Sequence, residues 1–503
     1  MILNKKQTMK IRNIYIASFL LIGIISCSKS FLDVEPIDRY VVSNFVQNQG
    51  QVEQAVVACY RKVFAIANNY IWIYGDFLSD NTSYYRNPTD RGGVATEEVD
   101  EFMAEARNTT FNGVYQESFE GVTRSNYVLG NIENITFTSD SLKNLRKAEA
   151  QFFRAWHYFN LVRLFGDVPL VTQVITDSRE SYKLKRDPAD QIYPQIIIPD
   201  AQFAVEKLPT KVPASQTGRL TKGAALMLLS KIYMTQKRFA EAKPLLEEVT
   251  RLGYALNANY VDNFNPSKKN SPESIYEIQA GDITSAFGLM GQWAPWGSAR
   301  TVWGAGANSR GGLNQPTEDL IKAYETADSL RSKVVVGIYK AGTVDVPYMN
   351  KFNYYDAALN ANAINYPIYR YADALLMLAE CQNETNETDK AIANLNLIRT
   401  RAKIPSKTRG NANPVYAVNS QADMRTAIEK ERQIELAGEG HRWFDLVRTG
   451  RAEQVMKEHG AREKANELKK TYLLPEAFIK IRILLPMPDR EIREFGFSQT
   501  PEW

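Results

Sequence analysis

Residues 222–252 read KGAALMLLSKIYMTQKRFAEAKPLLEEVTRL. Apolar side chains recur at spacings of three and four: Ala225, Leu226, Leu229, Ile232 and Tyr233, then Phe239, Ala242, Leu245, Leu246 and Val249. That period marks one face of an α-helix. The polar triplet Gln236-Lys237-Arg238 divides it, so the stretch predicts two helices folded back on each other. A second stretch repeats the design, with Tyr371, Ala374, Leu375, Leu378 and Ala379, a polar break at 383–389, and then Ala391, Ile392, Leu395 and Ile398. Small side chains (Ala225, Ala242, Ala379, Ala391) stand where helices must approach closely. Large ones (Tyr233, Phe239, Leu246, Leu395) stand where a groove needs filling, because protein interiors are close-packed. Residues 143–165 carry the same period, and Gly166 followed by Pro169 should end that helix.

The two helical pairs resemble tetratricopeptide repeats in spacing, although the Trp and the terminal Pro of the full consensus are absent. Such a pair buries its face only against a neighbour, so several should stack, with 49–67 and 148–165 as more degenerate candidates. The fold class is therefore mainly α. Two aromatic-rich stretches interrupt it. Between Phe287 and Gly312 lie seven of the 28 glycines and three of the seven tryptophans: Trp293, Trp296 and Trp303. That glycine density predicts irregular backbone or short strands. The other stretch runs from Trp72 to Pro88 and holds Asp80, Asn81, Tyr84, Tyr85 and Arg86. Function concentrates in loops carried by a rigid scaffold, which makes both stretches candidates for a binding site.

The chain has 503 residues, 44% hydrophobic and 23% charged, which excludes a disordered tail, a collagen-like fibre and a polytopic membrane protein. Its formal charge of +4 belongs to the first 26 residues, which hold Lys5, Lys6, Lys10 and Arg12 and no acid. The remainder is balanced, so charge gives no case for nucleic-acid binding. The apolar run 14–25 is too short to span about 30 Å of hydrocarbon and fits a signal-peptide core. It ends in Ile24-Ile25-Ser26-Cys27, which resembles a bacterial lipobox with Cys27 as the lipidated residue. Acyl chains contribute about 0.8 kcal/mol per buried CH₂, so several chains would anchor the protein stably. Ser28, in place of Asp, favours delivery to the outer membrane.

The remaining chemistry is sparse. Cys59 and Cys381 sit in apolar helical patterns and read as two buried thiols. His157, His441 and His459 are the only histidines and show no metal-ligand spacing, so neither a metal nor a cofactor is expected. Glu435, Glu439, His441, Arg442, Trp443 and Asp445 crowd into eleven residues. Glu435 and Glu439 are one turn apart, with Arg442 within reach of Glu439, which reads as a structural ion-pair network. No pair of carboxylates is spaced for glycoside hydrolysis, and no catalytic residue is expected.

Several segments taken together resemble one family. Cys27 with Phe31-Leu32-Asp33-Val34-Glu35-Pro36, the run from Ala148 through Arg154, Trp156 and His157 to Gly166-Asp167-Val168-Pro169, and Tyr369-Arg370-Tyr371-Ala372-Asp373 are the first three. Glu431-Arg432 through Glu439-Gly440-His441-Arg442-Trp443-Phe444-Asp445, and Leu484-Leu485-Pro486-Met487-Pro488 with Gln499-Thr500-Pro501, complete the set. In this order they resemble the SusD/RagB family, surface lipoproteins of Bacteroidetes that bind nutrient glycans on a TonB-dependent transporter. The family's final aromatic after Gly is replaced here by Trp503.

The resemblance implies a non-catalytic lipoprotein on the cell surface. It would be held in the outer membrane by lipid on Cys27 and would deliver glycan to a SusC-like transporter. A peptide-binding member of the same family is the alternative. It also implies a right-handed superhelix of tetratricopeptide-like units with an irregular half packed on it. The expected organisation is a signal peptide (1–26), an anchor and extended segment (27–48) and one domain (49–503). Within that domain, helical repeats occupy about 49–253 and 367–450, irregular binding regions about 68–117 and 254–366, and a tail 451–503. A pyranose presents an apolar face to Trp or Tyr while its hydroxyls seek Asn, Asp or Arg. The expected ligand contacts are therefore Trp293, Trp296, Trp303, Tyr84, Tyr85, Asn81, Asp80, Arg86 and Arg300. Arg86, Arg300 and Arg310 could equally recognise an anionic glycan.

Overall fold

The computed structural model describes residues 46–86, 93–281, 292–295, 298, 302, 311–356 and 361–503. Twelve of its helices carry the argument. They are α1 (Gln49–Ile66), α2 (Thr109–Asn131), α3 (Asp140–Phe165), α4 (Ile198–Lys207), α5 (Lys222–Thr235), α6 (Phe239–Arg251), α7 (Tyr371–Glu384), α8 (Thr388–Arg401), α9 (Gln421–Glu435), α10 (Arg442–Arg448), α11 (Ala452–Ala465) and α12 (Asp489–Phe495).

The helical pairs form as their periodicity dictates: α5 packs on α6 and α7 on α8, with α6 against α7. Ala225, Ala242, Ala379 and Ala391 are all fully buried, as close helix approach requires. Helix α7 is apolar almost all round because it is covered on two sides. Ala374, Met377, Leu378 and Cys381 face the main core, while Ala372, Leu375, Leu376 and Ala379 join a second cluster with Leu395, Ile398, Met424 and Ile428. Both thiols are free and buried, and burial pushes each upward from the ordinary cysteine range. Helix α3 starts at a Ser139 cap and stops at Gly166, whose φ of +70° suits a residue without Cβ.

Two expectations about the N-terminal half need correction. Residues 109–117 are not irregular: they open α2, a 23-residue helix that packs against both α1 and α3. Residues 72–77 are also helical, because α1 runs on through two wide turns, Ala67–Ile71 and Ile73–Phe77. Gly75 is there for close approach rather than for a turn, since a Cβ on it would run into the backbone of Gly440.

The 72–88 stretch and the central region supply short antiparallel strands: β1 (Thr82–Ser83) from the former, then β2 (Ser274–Ile278), β3 (Gln315–Pro316), β4 (Val336–Ala341), β5 (Val344–Met349), β6 (Tyr355–Asp356), β7 (Ala361–Asn362) and β8 (Tyr366–Arg370). They pair as β1–β3, β2–β8, β4–β5 and β6–β7. Thr82 faces Pro316 and Ser83 faces Gln315, which ties the two aromatic-rich stretches together. Ser274 faces Arg370, so β2–β8 delivers Arg370 to the start of α7. No helix among the described residues is long and apolar enough to cross a membrane.

Candidate functional site

The two irregular stretches meet over the end of α9. That helix begins with a reciprocal cap between Ser420 and Asp423 and ends at Glu435. Beyond it the chain turns through Gly438 and Gly440, both at φ +79°. The charges gathered there form a buried lattice. Arg331 donates to Glu431 at 2.6 Å and to Glu435 at 2.9 Å. Arg370 reaches Glu273 at 2.5 Å, Glu435 at 3.0 Å and Glu439 at 2.6 Å. Arg401 also pairs with Glu435, and Lys351 with Glu439, both at 2.5 Å. Burial alone would raise Glu435, but the Arg401, Arg370 and Arg331 guanidiniums hold it well below the usual carboxylate range.

The expected ion-pair network therefore exists, with one change of partners. Arg442 does not pair with Glu439; it donates to both carboxylate oxygens of Asp80, at 2.7 and 2.8 Å, and to Glu429 at 3.4 Å. The glycine turn after Glu435 breaks the helical register that would have brought Arg442 to Glu439.

Five residues expected at the ligand are consequently spent on packing. Asp80 is occupied by Arg442 and by Gln433 at 3.1 Å. Asn81 is 1% exposed, with its amide directed at the Gln433 carbonyl. Tyr84 is 1% exposed and hydrogen-bonded through its hydroxyl to Glu101. Tyr85 lies under the Lys469 ammonium, 4.7 Å from its ring centre. Trp293 is 1% exposed, edge-on to Trp72 at 5.8 Å and to Phe352 at 5.7 Å. The three aromatics share one reason, since the irregular half lacks long helices to bury and its aromatics make its own core, while Asp80 and Asn81 are taken up by Arg442 and Gln433. Trp296, Trp303, Arg300 and Arg310 lie outside the described residues.

Arg86 is different. Its guanidinium stacks 4.5 Å above the Tyr472 ring, and Glu97 approaches it at 3.8 Å. Its side chain keeps 23% exposure, and Tyr472 is half-buried. Three strands of backbone are tied side by side beneath this stack. Tyr85 N–H donates to the Gly312 carbonyl at 2.8 Å, Gly312 N–H to Ala294 at 2.6 Å, and Leu313 N–H to Gln292 at 3.0 Å. Gly311, at φ +53°, fits because a Cβ there would strike the Ala294 carbonyl. The platform thus combines a cation seated on an aromatic ring, with the Tyr84 ring 5.5 Å from that of Tyr472, and the flanks of the stretch 296–310. A guanidinium stacked on an aromatic ring keeps its edge N–H groups for hydroxyl or anionic oxygens. Sequence reasoning missed Tyr472 because it lies 386 residues from Arg86 in a tail without helical pattern.

One buried constellation mimics a nucleophile with a base. Lys469 donates to the Ser83 hydroxyl at 2.7 Å, and Ser83 donates to Asp100 at 2.6 Å. Beside it His459 meets Asp319 at 2.6 Å. Burial disfavours the Lys469 charge, but the adjoining Glu463 carboxylate wins and raises it, so the lysine stays protonated and is no base. Ser83 is 2% exposed and Lys469 1%, which leaves no room for a substrate. Among the described residues no three His, Cys, Asp or Glu side chains are grouped to hold a metal ion.

Comparison with known proteins places this architecture. The SusD family profile matches residues 314–503, and a profile described as starch-binding, associating with the outer membrane, matches residues 30–234. SusD-like protein P25 of Formosa agariphila is 27% identical, over 96% of this chain and 97% of its own length. A SusD-like protein of Bacteroides ovatus is 24% identical, over 84% and 79%. Two solved structures share the fold. A laminarin-binding SusD-like protein superposes with a TM-score of 0.71 at 24% identity, over 91% of this chain and all of its own. Surface glycan-binding protein A from Bacteroides uniformis gives 0.74 at 22%, over 90% and 99%. The chain belongs to the SusD/RagB family, whose members are non-catalytic binding proteins.

Proposed function

We propose that this protein captures oligosaccharide at the cell surface and passes it to a SusC-like TonB-dependent transporter. Its lipid, on Cys27, holds it to the outer membrane. The helical pairs continue into a right-handed superhelix that carries the irregular half. The observation that carries this reading is the Arg86–Tyr472 stack on a platform where three loop segments converge. The guanidinium held on the tyrosine offers hydrogen bonds to a pyranose's hydroxyls, and the tryptophans of the neighbouring stretch offer its apolar face a ring to stack on. Trp296, Trp303 and Arg300 complete the contact set from the neighbouring stretch. Asp80, Asn81, Tyr84, Tyr85 and Trp293 hold the loops in shape from below. The glycan reading is supported by neighbours of the same fold, among them a surface glycan-binding protein A from Bacteroides thetaiotaomicron in complex with laminarihexaose.

The test is a glycan array followed by calorimetry with the native chain and with Tyr472→Ala and Trp296→Ala. Each variant is expected to weaken binding at least tenfold while leaving the melting temperature within about 3 °C, since truncating an aromatic anchor of a binding surface costs about 2 kcal/mol or more. Full affinity in both variants would remove the site from this platform. Binding to peptides with no response to any glycan would assign the scaffold to the other ligand class.

A further inference from the structure

A second concavity lies along α2. This cleft of about 650 Å³ is walled by Tyr115, Phe119, Val171, Leu184, Phe495 and Phe497. Its rim continues outward to Tyr182, which is 64% exposed and stacks against Phe495 at 5.6 Å. A polar rim surrounds an apolar floor, and such a floor left to water is unfavourable.

The chain itself offers an occupant. The first described residue, Val46, meets the Tyr127 hydroxyl of α2 through its backbone. Tyr127, Thr123, Glu120 and Gln116 fall on one face of that helix by their spacing, and the last three line the cleft. From 127 to 116 is about 16 Å along the axis, at about 1.5 Å per residue. An extended chain covers that distance in about five residues. An extended chain running back from Val46 along this face would bring Tyr40, Val41 and Val42 level with the cleft. The segment 28–45 holds Phe31, Leu32, Val34, Ile37, Tyr40, Val41, Val42 and Phe45, far too apolar for a simple solvated tether.

We propose that residues 28–45 bind in this cleft as a strap, with Tyr40, Val41 and Val42 seated on Phe119 and Phe495. The segment then is no slack tether. A free 18-residue linker reaches up to about 60 Å, whereas the strap fixes the point at which the Cys27 end leaves the body. The inference is independent of the glycan reading.

The test uses the full chain in detergent and reads both partners. Phe119→Glu puts a charge on the cleft floor, and trypsin cleavage after Arg39 is expected to accelerate at least tenfold. The strap variant Tyr40→Ser/Val41→Ser/Val42→Ser changes no residue of the described core. It should speed amide exchange in 115–124 and 490–497 at least fivefold, with α7 and α8 unchanged. Should Phe119→Glu also loosen α7 and α8, the strap variant alone decides. Unchanged exchange in the strap variant overturns the proposal. So does cleft protection that depends on protein concentration, which would mean a second copy, or protection that arises only with added laminarihexaose, which would mean a ligand.

Discussion

Two regions of this molecule bury carboxylates, and they treat them in opposite ways. At the end of α9, Glu435 is surrounded by Arg331, Arg370 and Arg401 and is held ionised far below its ordinary range. Along the 72–88 stretch, burial pushes Asp76, and Asp100 where it meets Ser83, up to about 7. Asp76 accepts the Gly440 N–H at 2.6 Å and Asp100 the Ser83 hydroxyl, and each keeps one buried oxygen without a partner. Burial is equal in the two regions; the number of guanidiniums is not. A buried carboxylate is ionised where several guanidiniums bond it directly, and is pushed toward the neutral acid where burial outweighs a single lysine that does not touch it and the few dipoles it accepts. The first region is joined by paired charge, and the second by carboxyls pushed toward the neutral acid.

The largest break in that contrast should come from Arg370. Arg370→Ala removes the cation that Glu273, Glu435 and Glu439 share, and removing one partner from a buried network costs about 3–5 kcal/mol. Denaturant unfolding should show the loss, and a variant within about 1 kcal/mol of the native chain would mean the lattice relaxes or admits water. Gly75→Ala tests the seam between the regions, where the Gly75 and Gly440 backbones touch. Overpacking there should cost about 1–3 kcal/mol by the same measurement. Gly440→Ala should add a strained φ of +79° on top of its own contacts with Ile71.

The subtlest effect lies in pH. Asp100 has a folded pKa of about 7 against an ordinary value of 3.8. Its folded form therefore takes up a proton that the unfolded chain does not hold between those values. Its favourable contribution is complete below about 4 and is lost as pH rises through 7. Asp100→Asn cannot titrate, so its stability relative to the native chain should improve by about 1 kcal/mol or more between pH 4 and 8. Melting temperatures of both proteins across that range give the answer. A difference that is flat with pH, or that runs the other way, would show the carboxyl to be hydrated or ion-paired.

The same two regions divide what the sequence could show. The signature around Glu435 reads as an ion-pair network because its residues crowd into one segment, and the network is there. Its partners do not read out. Arg331, Arg370 and Arg401 come from separate elements, and the pairing of Arg442 with Asp80 spans 362 residues. At the platform the aromatic-rich stretches contribute Arg86, but Trp293, Tyr84 and Tyr85 turn inward, and Tyr472 enters from a tail with no periodic signal. Local composition marks a loop as unusual; it does not distinguish an aromatic that meets ligand from one that fills the core, because both need the same side chain.

By itself, then, the sequence determined the helical pairs, their stops, the buried alanines at their contacts, the free thiols and the family. These depend on spacings within some thirty residues, where the 3.6-residue period and the chemistry of Gly and Pro act directly. The tertiary structure decided which charges neutralise one another, which aromatics face outward, and where Arg86 finds its ring. Those outcomes turn on distances between segments far apart in the chain, and burial energies of a few kcal/mol select among arrangements that the sequence pattern leaves equal.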